Sequence, residues 1–193
     1  MTSIRRDHLV DTALTLFSRY GFHATGIDRI LSESGVAKMT LYKHFKSKDE
    51  LILAALRRRD ELHRSWVMRE VEKLALAPHE RLIALFTALG TWFESEEFTG
   101  CCFINAIAEY SDRDDPIHAA AAEHKRLIRA YILELAEAAE AKEPDALTDS
   151  LMLLMEGAIV SAQITGEAAP AKQARAAAEV LVTRAVEAAS IAA

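Results

Sequence analysis

The 193-residue sequence is poor in cysteine (two), proline (four) and glycine (seven), and aromatic side chains make up only 7% of it. Cys101 and Cys102 are neighbours, a spacing that offers neither a disulfide framework nor the separated thiolate pairs of a zinc site. The scarcity of helix breakers, with abundant alanine, leucine and glutamate, favours long helices over a sheet. No uninterrupted apolar run reaches the roughly eighteen residues of a membrane span, and the stretch from Met1 to Asp7 has no signal-type apolar block. These absences predict an all-α protein with no membrane partner, in a reducing, cytoplasmic compartment. Basic charge is short too: 23 Lys and Arg stand against 29 Asp and Glu, a net charge of -6.

That overall sign hides an asymmetry. Residues 1–48 hold eight Lys or Arg against four Asp or Glu, whereas residues 49–193 hold fifteen against twenty-five. Attraction to phosphate is local, screened over about 10 Å at 0.1 M salt, so a basic head on an acidic body can still bind nucleic acid. With 51% hydrophobic residues the chain can bury a sizeable core. Two domains are expected, a head over 1–48 and a body over 49–193.

Hydrophobic periodicity predicts about nine helices. The first runs from about Ser3 to Tyr20 and stops at Gly21. A short one starts at Thr25 or Gly26 and ends at Ser34-Gly35, and another covers Ala37 to Lys43. Ser47 and Glu50 then form a capping box that opens a helix to about Leu74. Pro78 opens the next, with Leu82, Leu85, Phe86, Leu89, Trp92 and Phe93 on one wide apolar face. After Gly100 come a short helix from Phe103 to Tyr110, a turn over Asp112–Pro116, and a long helix ending near Lys142. Helices over about Asp145–Thr165 and Pro170–Ile191 complete the chain.

Two short helices joined at Gly35 and braced by Ile30, Leu31, Val36 and Leu41 make a helix-turn-helix, whose second member is left free to enter a DNA groove. The series Gly21-Phe22-His23-Ala24-Thr25, Ile30, Gly35-Val36, Thr40-Leu41-Tyr42, Phe45 and Ser47-Lys48-Asp49-Glu50-Leu51 closely resembles the TetR family of bacterial regulators, over residues 1–55. The resemblance implies that Thr40 and Tyr42 bind backbone phosphates, that His44 and Lys46 flank them, and that Lys48 meets a further phosphate. Directed donors of this kind are sound phosphate ligands. Base reading falls to Lys38, Met39, Thr40 and Lys43, with Thr25, Gly26 and Asp28 at the start of the preceding helix. Lysine can donate to guanine, and a methionine or threonine methyl packs on thymine. The family's usual serine cap and small residue are replaced by Ala37 and Met39, which implies an altered sequence preference.

The body is expected to carry a small-molecule effector. Phe86, Trp92 and Phe93, then Cys102, Asn105 and Glu109, then Met152, Met155, Glu156 and Gln163 offer apolar walls with a few polar groups, as a pocket requires and as a core also provides. Asn105 and Glu109 lie four apart on one helical face, where they could orient a polar or cationic group. Small-residue stripes (Leu151, Leu154, Ala158, Ala162; Ala174, Ala178, Leu181, Ala185, Ala188) suggest a homodimer built from the last two helices, hence a palindromic operator, although packing within one chain would produce the same pattern.

The leading expectation is therefore a repressor released from its operator by a small molecule. A thiol-based redox or electrophile sensor using Cys101 or Cys102 is the alternative of the same fold, and a small thiol enzyme the rival of another class. Against the enzyme, no nucleophile has a recognisable base nearby and there is no Gly-rich phosphate loop. No cofactor is called for, and His118 and His124, six apart, do not have metal-ligand spacing.

Overall fold

In the computed structural model, which describes the backbone of residues 4–192 and side chains through residue 187, the described residues form nine helices and no strand. They are α1 (Ile4–Tyr20), α2 (Ile27–Ser34), α3 (Lys38–His44), α4 (Lys48–Leu74), α5 (Pro78–Phe93), α6 (Cys102–Glu109), α7 (Pro116–Ala138), α8 (Pro144–Thr165) and α9 (Ala169–Ala192). The expected helix start at Ser3 lies outside the described residues. The helix expected to reach Lys142 stops at Ala138, where Glu140 takes a positive φ of 54° before Pro144 opens α8.

By packing, the chain divides into two compact units, cut differently from the expected 1–48 and 49–193. One holds the chain up to His63 together with Cys101–Lys125, and the other holds Arg64–Gly100 with the chain from Arg126 onward. The first unit needs more than a three-helix head because its core does. Leu9, Ala13, Phe17, Phe22, Ile30 and Leu41 are sealed to 1% exposure or less, as are Leu51, Ile52, Ala55 and Leu56 on α4. Each large apolar side chain so buried contributes at most about 1.5–3 kcal/mol, and a core of the head's residues alone would be small.

In the second unit α5 packs against α8 and α9, and α8 packs along α9. By length and composition α8 could cross a membrane. It instead buries one face, Leu147, Leu151, Met155, Ala158, Ile159 and Ala162, as a core helix does.

This packing corrects the predicted dimer stripe. Leu151, Ala158, Ala162, Ala174 and Ala178 are all buried inside the chain, and Leu154, Leu181 and Ala185 are half-buried. Ala188 lies outside the residues whose side chains are described. Small residues did mark a close helix approach, but it is that of α8 and α9 within one copy. The apolar side chains these helices leave in solvent are others: Leu153 (75% exposed), Ile164 (78%), Val180 (58%) and Val160 (39%).

Candidate nucleic-acid interface

α2 ends at Gly35, whose left-handed φ of 65° carries its N–H back to the Leu31 carbonyl at 3.0 Å. A Cβ at Gly35 would meet nothing within 4 Å, so glycine is needed there for conformation alone. Ala37 starts α3 with no side-chain cap; its carbonyl instead accepts from Thr40 N at 2.8 Å and Leu41 N at 3.2 Å. Ile30 and Leu41 form the predicted brace at 0% exposure, while Leu31 and Val36 are only half-buried.

With Leu41 turned inward, α3 presents its remaining face to solvent. Met39 is 88% exposed and Tyr42 48%. Lys38, Lys43 and Lys46 are exposed as well, as are Gly26 and Asp28 at the start of α2, and Thr40, His44 and Lys48 are partly so. Lys38 Nζ stands 3.6 Å from Asp28 Oδ1, both well exposed; such a solvated pair is worth little and is readily exchanged for a phosphate or a base edge. At the start of α4 the Ser47 hydroxyl accepts from Glu50 N at 3.2 Å, and the Glu50 carboxylate reaches one residue further back than in a standard capping box, to Lys46 N at 2.7 Å. Lys48 Nζ donates to the His23 carbonyl at 3.2 Å.

Thr25 does not belong to this surface. It is fully buried, and its hydroxyl donates to the Gly21 carbonyl at 2.7 Å and lies 3.4 Å from the Leu16 carbonyl, satisfying carbonyls at the end of α1. Its place in the motif is explained by this closure. Arg29, which sequence reasoning passed over, is exposed on α2 with its guanidinium 3.7 Å from the Tyr20 ring centre. Tyr20 and Arg29 are separated by the whole α1–α2 connection, so periodicity carries no signal of the pair.

Of the expected effector residues, Cys102, Asn105 and Glu109 fall in the first unit and the other seven in the second. Phe86, Trp92, Phe93 and Met155 are buried, Met152 and Glu156 half-buried, and Gln163 exposed. Trp92 and Phe93 also pack against Phe98, at ring distances of 5.0 and 4.9 Å. The amide of Gln163 lies over Gly100, where any side chain would collide with it. Two open grooves on the second unit, of about 530 and 280 Å³, include none of the ten; Arg175 and Glu179 line the first and Lys142 and Arg184 the second. Glu109 is committed elsewhere, since Oε1 accepts from Phe22 N at 2.8 Å and Oε2 from His23 N at 2.6 Å.

Both cysteines are buried at 4% exposure. Burial, then the neighbouring Cys101, push the Cys102 thiol up to about 12 against a weaker opposing hydrogen bond from Ser18. Lys125 Nζ approaches Cys101 Sγ at 3.4 Å, a cation that its distance along the chain had concealed. Among the described residues no cluster of three or more His, Cys, Asp or Glu could hold a metal ion.

A short glycine-turned helix pair, braced from behind and presenting methionine, tyrosine and lysines outward, defines a helix-turn-helix DNA-binding regulator. Residues 9–55 match the family model of bacterial regulatory proteins of the tetR family, and residues 78–178 that of the tetracyclin repressor-like C-terminal domain. The chain belongs to the TetR family. A TetR-family transcriptional regulator from Streptomyces coelicolor is 30% identical, with a TM-score of 0.87 over 94% of this chain and 96% of that one. The HTH-type transcriptional activator FasR of Mycolicibacterium smegmatis is 48% identical over 54 residues, 28% of this chain and 25% of its own length. The HTH-type transcriptional repressor KstR2 of the same organism is 36% identical over 87 residues, 44% of this chain and 40% of its own. These two curated relatives are thus matched over less than half their length.

Proposed function

We propose that the chain acts as a homodimer that represses transcription from a palindromic operator and releases it when a small molecule binds the body. The observation that carries the reading is the outward face of α3, where Met39 at 88% exposure stands among Lys38, Tyr42 and Lys43. An apolar side chain so exposed on a rigidly braced helix suits a thymine methyl, and the flanking cations suit guanine edges and phosphates. Repression is the simpler outcome because a head that occupies a promoter blocks it without a further contact, whereas activation needs one. The relatives carry both names.

Dimerisation is supported by the apolar side chains left in solvent on α8 and α9. Two copies joined there by a two-fold axis would present two heads to two half-sites. For the effector, the apolar set Phe86, Trp92, Phe93, Met152 and Met155 of the second unit remains the candidate wall, with Glu156 and Gln163 of the same unit as polar partners. A thiol sensor is opposed by the burial of both sulfurs and by the raised Cys102 thiol. We read the chain as a regulator and not an enzyme, working without a cofactor in the cytoplasm beside the chromosome.

The test is selection of duplexes from a randomised pool by the whole chain, followed by light scattering of the complex. Selected sequences with two-fold symmetry, a dimer mass and a steep fall of affinity with salt are expected. Sequences lacking symmetry, or a monomer bound to them, would overturn the proposal.

A further inference from the structure

Between α1 and α2 the chain turns at Gly21, φ 86°, whose own N–H still bonds the Phe17 carbonyl at 2.9 Å. The next two amides are donors that the end of α1 cannot satisfy. Both are taken by one carboxylate 86 and 87 residues away: Glu109 Oε1 accepts from Phe22 N at 2.8 Å and Oε2 from His23 N at 2.6 Å. The grip continues on the same residue pair. His23 Nε2 lies 3.0 Å from the Glu109 carbonyl oxygen, and the His23 ring is 4.7 Å from that of Tyr110, the residue ending α6. A Cβ at Gly21 would stand 2.9 Å from Glu109 Oε1, so glycine serves the carboxylate's approach as well as the φ. Lys48 Nζ and the Thr25 hydroxyl hold the turn from other sides, at the His23 and Gly21 carbonyls.

Short bonds from backbone amides to an ionised carboxylate are among the stronger hydrogen bonds a protein makes. These fix the segment from which α2 and α3 depart, yet Glu109 lies outside the helix-turn-helix. We propose that Glu109 is a positioning residue for DNA recognition: through the Phe22 and His23 amides it sets the orientation in which α3 reads bases. A group that orients the reading helix affects discrimination between sequences more than general adhesion to phosphate, because adhesion tolerates small rotations and a bidentate base contact does not. The inference rests on the DNA-binding reading above.

Glu109→Gln keeps the shape but replaces one acceptor with an NH₂ group that cannot accept from an amide. In the full-length chain, hydrogen exchange at Phe22 and His23 should quicken at least about tenfold, in keeping with the loss of a hydrogen bond to a charged group. Affinity for a duplex selected by the wild-type chain should fall about tenfold while affinity for a random duplex at low salt changes less than about twofold. Glu109→Asp, which keeps the charge, should recover part of the discrimination, and it serves as the readout if the glutamine variant does not fold. Unchanged exchange, faster exchange with both duplexes bound as by wild type, or equal loss on both duplexes together with a lowered melting temperature would each overturn the proposal. A wild-type chain that selects no duplex would instead overturn the DNA-binding reading itself.

Discussion

The rings of Phe103 and His124 lie face to face, 3.6 Å between centres and 10° from parallel. His124 Nδ1 is in turn 2.8 Å from Asp60 Oδ1, and the His63 ring is 5.9 Å away. One aromatic pair thus joins α6 to α7, and a carboxylate joins α7 to α4. In this cluster burial, then the charges of Arg59, His124 and Lys125, depress the His63 pKa from 6.5 to about 3, opposed by Asp60.

That depression has a definite sign. Above pH 6.5 His63 is neutral folded or unfolded and costs nothing; as pH falls from 6.5 towards 3 the unfolded chain binds a proton that the folded chain refuses, and stability declines. Urea midpoints should be flat above neutrality and fall through that window, and His63→Gln should flatten the fall. An unchanged pH profile in the variant would mean that other groups govern it.

Thr25 and Met39, both in the head, should behave oppositely. Thr25→Val removes a buried hydroxyl and leaves the Gly21 carbonyl unmatched, so the folded state should lose about 1–2 kcal/mol by thermal melting. Met39→Gly touches nothing buried and should shift the bases preferred in duplex selection, at a cost of about 1 kcal/mol in helix propensity. Tyr42→Phe, by contrast, should weaken selected and random duplexes alike.

Ile164→Glu and Ala178→Glu distinguish the two faces of the last helices. Ile164 is 78% exposed and Ala178 0%. The first should lower the dimer fraction in sedimentation while each copy stays helical. The second buries an unpaired charge between packed helices and should reduce the folded population itself. Were Ala178→Glu to yield a folded monomer, the internal packing described above would be wrong.

Thr148 offers a gain. Its side chain is fully buried, and Oγ1 has no hydrogen-bond partner among the described residues. Thr148→Val keeps the shape and removes the unpaired hydroxyl, so it should raise stability by up to about 1 kcal/mol, read as a higher melting temperature.

For Cys102, native protein at neutral pH should resist iodoacetamide at that residue, because the thiol is buried and raised to about 12. Rapid, selective alkylation there, seen by peptide mass mapping, would revive the thiol-sensor reading.

The sequence by itself determined the helices, the helix-turn-helix and its outward residues, because each rests on information within a few turns of chain. Apolar period, Gly21 and Gly35 as stops, and the Ser47 and Glu50 cap are local signals, and Met39 and Tyr42 are exposed because Leu41, between them, must be buried. Only the tertiary structure decided what joins distant segments. A helix has several faces, and periodicity does not say which neighbour covers which. Thus Ala158 and Ala162 of α8 and Ala174 and Ala178 of α9, suited to a partner copy or to each other, proved to pack within the chain. Thr25, read as part of a surface motif, closes the end of α1. Glu109, a plausible ligand group from its place on α6, finds two unsatisfied amides across 86 and 87 residues of sequence. A carboxylate goes where backbone donors lack partners, and those donors take their positions only when α1, α2 and α6 have packed.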